Sequence, residues 1–235
     1  MIIRVCGLQR SGTNYLETLL NNNSLYNLSN DKIEKCTITC TGKHKRLFLF
    51  HALQEKLKRG KIEQKGLHGT RKHNIKISNL NDFLQYMGSA PNEYFLYIIK
   101  APHHWITSYH NSGLSGGASY WQMIYEYELF LKKLIHIKNE DKDHRIITHS
   151  YDYIANYPRE YISLICKILN LKQEKKFNYL GNTKVPMSHD FNKKQNNHRM
   201  KIDFIYHRTN EEQRNYIESV LEPLYLQATH YYLVY

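Results

Sequence analysis

The amino-terminal segment runs from an apolar strand through a Gly/Ser turn directly into a helix. Residues 2–7 are mostly apolar, residues 7–12 contain two glycines and a serine, and a helix is predicted over 13–21. Backbone N–H groups at such a turn and in the first helical turn point at one spot, where the helix dipole adds about half a positive charge. Arg10 adds a full charge, so the segment predicts an anion site. The residues predicted to bind the anion are Arg10, Ser11, Gly12, Thr13 and Asn14.

The turn differs from a nucleotide-binding P-loop at one decisive position. The pattern G-x-x-x-x-G-K-[ST] places Lys directly after the second Gly, whereas this chain has Thr13 after Gly12. In ATP and GTP enzymes that Lys contacts the β- and γ-phosphates, and the next hydroxyl holds Mg²⁺. The sequence therefore argues against phosphoryl transfer, although a nucleotide or nucleoside kinase with a degenerate loop stays open as an alternative.

A second basic segment follows the apolar strand predicted over 94–99. Lys100 ends that strand, Pro102 suits the start of a helix over 103–112, and Ser108 follows Lys100 by eight positions. Ligands of open α/β sheets bind outside the carboxyl ends of the strands, so both basic segments are predicted to face one crevice. The Gly/Ser-rich loop 113–119 beside it is either an acceptor lid or a plain connector.

Together the two segments resemble those of sulfotransferases that use 3′-phosphoadenosine 5′-phosphosulfate (PAPS). In that family a basic residue followed by Ser-Gly-Thr binds the 5′-phosphosulfate, which implies this role for Arg10 and the residues after it. A strand-end basic residue and a Ser eight positions later bind the 3′-phosphate, which implies Lys100 and Ser108. Lys100 keeps the charge of the commoner Arg but lacks its bidentate fork. The likeness is weaker over 145–154, where Tyr151 replaces an acidic residue.

The resemblance also implies a general base between the two phosphate segments. Residues 42–48 are similar to a Trp-Lys-His segment of small sulfotransferases, although the Trp is missing. They imply His44 as the base and Lys43 as a contact of the sulfonate, while His73 in a second Lys-His pair stays open as the base. Further candidates for the 3′-phosphate are Lys193, Lys194 and Arg199. The implied reaction moves a sulfonate group from PAPS to a hydroxyl of a small molecule or a glycan such as a saccharide.

Strands alternate with helices along the whole chain. The remaining predicted elements are a short β-like piece at 36–40, a strand at 145–149, and helices at 48–58, 79–87, 120–138, 157–169 and from 211. This alternation predicts an α/β fold, a three-layer sandwich with a central parallel sheet and a P-loop-like 5′-phosphosulfate loop, in a single domain over 1–235. Asn210 or Thr209 is predicted to cap the last helix, and Pro223 to bend or interrupt it.

The formal net charge of +12 favours a polyanionic ligand. A non-enzymatic polyanion-binding protein is therefore the alternative from a different functional class, although nucleic acid is not the partner that we expect. The densest basic run is typical of a solvated face. It consists of Lys56, Lys58, Arg59, Lys61 and Lys65.

The length of the apolar runs and the spacing of the cysteines indicate where in the cell the protein is located. The longest apolar runs are far shorter than the roughly 20 residues of a membrane span, and we expect no membrane span and no secretion leader. Four cysteines, at positions 6, 36, 40 and 166, form no dense disulfide framework, so a cytoplasmic location is expected. The fourteen histidines form no zinc-binding pattern with carboxylates, and we expect no metal.

Overall fold

The structure is a computed structural model, and it describes ten stretches of the chain. They are residues 1–29, 32–42, 44–45, 47–48, 50–62, 76–113, 115, 117–173, 177–178 and 207–229. The candidate residues Lys43, His73, Lys193, Lys194 and Arg199 lie outside these stretches.

Each predicted strand and helix is present, alongside elements that the sequence did not predict. In chain order the elements are β1 (Ile2–Cys6), α1 (Thr13–Asn22), β2 (Leu25–Ser29), β3 (Lys32–Lys35), β4 (Thr37–Thr39), α2 (Phe50–Arg59), α3 (Leu80–Met87), β5 (Glu93–Ile99), α4 (Pro102–Asn111), α5 (Tyr120–Glu140), β6 (Ile146–Ser150), α6 (Tyr151–Asn156), α7 (Pro158–Ile168), β7 (Leu171–Gln173), α8 (Glu211–Tyr216), a π-helical segment (Ile217–Leu221) and α9 (Glu222–Thr229). Of these, β2, β3, α6 and β7 are elements that the sequence did not predict.

Four parallel strands form the central sheet in the order β4-β1-β5-β6. From β1 the chain first adds β4 on one side and later adds β5 and β6 on the other side. The strand order therefore reverses next to β1, and parallel sheets open a ligand crevice at such a switch point, outside the carboxyl ends of the strands. In register, Cys6 pairs with Tyr97, so Gly7 and Ile98 follow side by side at that edge.

Helices cover both faces of this sheet, because successive side chains of a strand point to opposite faces. Val5 and Leu96 belong to the core that α1, α6 and α7 cover. Cys6 and Tyr97, one residue later, belong to the core under α2 to α5 and α9. The predicted α/β architecture, with a central parallel sheet between helical layers, is confirmed in the described residues.

A small antiparallel sheet of order β3-β2-β7 was not predicted from the sequence. Strand β3 is charge-rich (Lys-Ile-Glu-Lys), and β7 has three residues that pair with β2 from far along the chain, as in Asn27 with Leu171. Neither strand has the run of alternating apolar residues that would predict a strand from its own sequence.

The last helix begins where it is predicted, and its path changes before Pro223. Asn210 is the cap, since its side chain accepts a hydrogen bond from the Gln213 N–H. The helix then widens into the π-helical segment Ile217–Leu221, where Glu222 N–H donates to the Ile217 carbonyl. A proline ring clashes with the carbonyl four residues earlier in a regular helix, and a wide turn relieves such a clash.

A buried ion pair joins β1 to β5. The Arg4 guanidinium donates from Nε to Glu93 Oε1 at 2.7 Å, and its Nη1 donates to the Met87 carbonyl at 2.6 Å. The second Glu93 oxygen accepts from the Ala90 N–H at 3.1 Å. Glu93 is 1% exposed, so loss of either partner would leave an uncompensated buried charge, which costs about 3–5 kcal/mol.

The basic run on α2 is not uniformly solvated. Lys58, Arg59 and Lys61 are exposed, but the Lys56 amine contacts the buried carboxylate of Glu128 on α5. Tyr216 also donates to that carboxylate, at 2.6 Å. Burial raises the pKa of Glu128, but hydrogen bonds from Lys132, Lys56 and Tyr216 outweigh it and hold the pKa below its ordinary value. Lys56 therefore packs α2 against α5 and α8.

Among the described helices, none is at once long and apolar enough to cross a membrane.

The buried His149 on β6 predicts a specific loss of stability in acid. Burial, reinforced by the positive charge of Lys138, lowers the pKa of His149 to about 3. The unfolded chain binds a proton on this side chain below about pH 6.5, whereas the folded chain does not until near pH 3, so stability falls as the pH drops through this window. For this group alone we expect a loss of about 2 kcal/mol between pH 7 and pH 5.

Urea unfolding at pH 7 and pH 5 tests this expectation with the variant His149→Phe. Phenylalanine keeps an aromatic ring against Tyr161, whose ring centroid lies 4.8 Å from that of His149, but it cannot titrate. The unsubstituted chain should lose about 2 kcal/mol more than the variant does between the two pH values. Equal losses would show that His149 does not carry the effect.

Candidate functional site

The loop between β1 and α1 lies at the carboxyl edge of the sheet. Arg10 and Gly12 both adopt left-handed backbone conformations, with φ of 67° and 104°. The Ser11 N–H donates to the Leu8 carbonyl at 3.1 Å, and Gly12 is the N-cap of α1. Alternation of left- and right-handed residues before a helix start is the arrangement in which N–H groups line an anion-binding concavity.

Both glycines of this loop lie against other parts of the fold. A Cβ atom on Gly7 would lie 2.7 Å from the carbonyl oxygen of Ile98 on β5. A Cβ atom on Gly12 would lie 2.4 Å from Cδ2 of Tyr151, the residue that follows β6. On α4, the indole Nε1 of Trp105 donates to the Gln9 carbonyl at 2.8 Å. The loop is therefore held by three separate parts of the fold.

The hydroxyl of Ser11 is buried in the loop without a described hydrogen-bond partner. Ser11 is 2% exposed, and no residue in the described stretches forms a hydrogen bond with its Oγ. A Cβ atom on Gly7 would come within 2.4 Å of this oxygen, so the hydroxyl lies at the base of the loop. A buried hydroxyl without a partner costs about 1–3 kcal/mol, and an anion that accepts its hydrogen would remove that cost. The exposed Arg10 guanidinium supplies charge at the loop.

Lys100 and Ser108 come together as the sequence spacing predicts. The Lys100 amine lies 3.5 Å from Ser108 Oγ, across the turn between β5 and α4. The Lys100 backbone carbonyl accepts a hydrogen bond of 2.5 Å from the Tyr127 hydroxyl on α5. Since both side chains are only partly buried, a cation and a hydroxyl remain accessible beside each other at the end of β5.

Tyr151 joins the two basic segments. Its ring limits the space at Gly12 in the loop, and the Lys100 amine lies 4.6 Å from the centroid of the same ring. Attraction between an amine and an aromatic face stabilises that position of the amine. Burial, and then the charge of Asp152, raises the pKa of Tyr151, so the phenol stays neutral at physiological pH. The loop and Lys100 thus border one aromatic ring at the switch-point edge.

His44 lies against the same loop. Its Nδ1 is 3.0 Å from the carbonyl oxygen of Gly7. A carbonyl oxygen can only accept, so Nδ1 carries the hydrogen, and the lone pair of the neutral imidazole is on Nε2. The next residue anchors the segment, because the Lys45 amine donates to the Tyr86 carbonyl at 2.6 Å. Lys43 and His73 lie outside the described residues, so the structure brings only His44 to the loop.

Three residues at this edge were not assigned a site role from the sequence. Trp105 and Tyr151 contact the loop, and His104 Nδ1 on α4 lies 3.4 Å from Asp152 Oδ1 on α6. All follow the carboxyl ends of β5 or β6 within six residues, which is the signal that could have identified them.

No group of three or more His, Cys, Asp or Glu side chains suited to a metal ion is found in the described part of the chain. A comparison with models of known protein families found no match, and a comparison with curated proteins found no relative. The geometry of the loop, His44 and Lys100 is therefore what supports a functional assignment.

The contact between Gly12 and Tyr151 predicts that Gly12→Ala is unusually harmful. Gly88 serves as a control, since it also has a left-handed φ, of 63°, but a Cβ atom there would meet nothing within 4 Å. We expect Gly88→Ala to lose about 1–2 kcal/mol from backbone strain alone. Gly12→Ala should lose about 1–3 kcal/mol more, because the Tyr151 ring must move.

Urea unfolding of both variants measures this difference. In a Tyr151→Ala background the extra loss at Gly12 should disappear, because the ring that causes it is gone. If Gly12→Ala lowers the free energy of unfolding equally with and without the Tyr151 ring, the ring does not cause the extra loss.

Proposed function

We propose that the chain is a sulfotransferase that moves a sulfonate group from PAPS to an acceptor hydroxyl. The observation that carries the proposal is that two cationic segments, the loop and the Lys100–Ser108 pair, border the one ring of Tyr151. A ligand with two separate phosphate groups suits two such segments, and PAPS carries a 3′-phosphate as well as its 5′-phosphosulfate. ATP has no 3′-phosphate, and the loop lacks the Lys that ATP enzymes use.

The residues of the loop fit a P-loop-like 5′-phosphosulfate site. Arg10, the Ser11 hydroxyl and the N–H groups at the start of α1, including those of Thr13 and Asn14, would hold the 5′ end of the donor. Lys100 and Ser108 would hold the 3′-phosphate through one charged and one neutral hydrogen bond. The unpartnered Ser11 hydroxyl supports this fit, since a phosphate oxygen supplies the acceptor that it lacks.

The tautomer of His44 suits a general base. Nε2 accepts the proton of the acceptor hydroxyl, while the Nδ1 hydrogen bond to Gly7 fixes the ring and favours the imidazolium that forms. The hydroxyl oxygen bonds to sulfur as the bond from sulfur to the 5′-phosphate oxygen breaks. Arg10 and Ser11 stabilise the negative charge that grows on that oxygen. The products are a sulfate ester and adenosine 3′,5′-bisphosphate.

Several parts of the proposal rest on the resemblance rather than on contacts. They are the sulfonate contact of Lys43 and the small-molecule or glycan nature of the acceptor. A cytoplasmic location is proposed from the cysteine pattern instead. The four cysteines are free, which accords with a reducing compartment.

Binding of adenosine 3′,5′-bisphosphate tests the donor site. It should raise the melting temperature well above the shift given by ATP with Mg²⁺ at the same concentration. Arg10→Ala and Lys100→Met should each weaken binding by about tenfold to a hundredfold, because each removes a charge-assisted hydrogen bond.

Arg59→Ala is the matched control, since it removes an equal charge from an exposed position on α2 and should leave the affinity unchanged. Equal stabilisation by both nucleotides would favour a kinase-like site. Equal weakening by all three variants would favour non-specific polyanion binding.

His44→Ala tests the catalytic assignment. Once a mass-spectrometric screen with PAPS has found an acceptor, this variant should lose about 10²–10⁴-fold in kcat, while its affinity for the bisphosphate stays unchanged. His51→Ala, at an exposed position on α2, should keep full activity. Full activity of His44→Ala would refute the assignment, and loss of activity in His73→Ala alone would move it to His73.

A further inference from the structure

A separate cavity is lined by residues at the start of α2, just before α3 and along α5. Its volume is about 500 Å³, within the range of about 300–1,000 Å³ that small-molecule sites occupy. Phe48, Ala52 and Leu129 give it an apolar lining, and three lysines, Lys76, Lys132 and Lys133, also line it. None of the loop residues 7–14, Lys100 or Ser108 is part of its lining.

The charges of this cavity are unbalanced. The described residues of its lining include no carboxylate. Lys132 has a carboxylate partner outside the lining, since its amine lies 2.7 Å from Glu128 Oε1. His136 Nε2 lies 2.8 Å from the Ser78 carbonyl oxygen and 3.3 Å from Glu140 Oε1. Lys76 and Lys133 have no ion pair with any acidic side chain in the described stretches. Among the described residues, two lysine side chains therefore line an apolar cavity without an ion-pair partner.

We propose that this cavity binds a small organic anion, with an apolar body of one or two rings and a single carboxylate or sulfonate. The apolar lining would cover the rings and remove them from water. The anionic group would lie between the Lys76 and Lys133 amines, since a cation in a site of reduced dielectric constant attracts an anion more strongly than it does in water. The site is independent of the proposed donor site.

Calorimetric titration with naphthalene-2-sulfonate tests the proposal. The sulfonate should bind at one site, 2-naphthol should bind at least about tenfold more weakly because it lacks the charge, and sodium sulfate should not compete because it lacks the rings. Lys133→Glu should weaken sulfonate binding by about tenfold or more. Lys142→Glu makes the same change of charge at an exposed residue outside the lining, and it should keep the affinity within about twofold.

Two further experiments distinguish binding in this cavity from binding at the proposed donor site and from an effect of misfolding. Ala52→Trp should fill the cavity and abolish binding while the melting curve stays cooperative. Arg10→Ala, and saturation with adenosine 3′,5′-bisphosphate, should leave sulfonate binding unchanged. Equal effects of Lys133→Glu and Lys142→Glu, or displacement by the bisphosphate, would overturn the proposal. Sulfonate binding in a chain that binds no bisphosphate would instead support the cavity and refute the donor site.

Discussion

The parallel pairing of β1 with β5 is the constraint on which the candidate site depends. Its register sets Cys6 opposite Tyr97, so the loop after β1 and the Lys100 turn leave the sheet at the same edge and on neighbouring strands. The buried Arg4–Glu93 pair supports this register from the other end, because the guanidinium and the carboxylate meet across the same two strands. A shift of one residue would turn every side chain to the opposite face and separate that pair.

Side-chain contacts at the carboxyl edge of the sheet then hold the loop, Lys100 and His44 close together. Tyr151 lies between the loop and Lys100, Trp105 holds the outer side of the loop, and the Gly7 carbonyl orients His44. Positive charge from Arg10 and Lys100 would repel at short range in a loosely packed site. Here the Tyr151 ring contacts both Gly12 of the loop and the Lys100 amine, and the proposal of one elongated ligand rests on this contact.

Much of this arrangement could be predicted because its signals are local. The apolar runs of β1 and β5, the glycines of the loop and the spacing of Lys100 and Ser108 are all visible within short stretches of sequence. Their positions after β6 and β5 mark Tyr151 and Trp105 as candidates, but their contacts with the loop could not be predicted, since these join residues far apart in the chain. Lys56 was misjudged for the same reason, because its partner Glu128 belongs to α5. Strands β3 and β7 lack an alternating apolar pattern, so only their partner β2 defines them.

A crystal structure of the complex with adenosine 3′,5′-bisphosphate tests most directly whether one ligand spans both cationic segments. The expected result is a single molecule whose 5′-phosphate lies on the N–H groups after Gly12 and accepts from the Ser11 hydroxyl, while its 3′-phosphate contacts Lys100 and Ser108. A molecule with both phosphates on one segment, or one bound away from the Tyr151 ring, would contradict the proposed site.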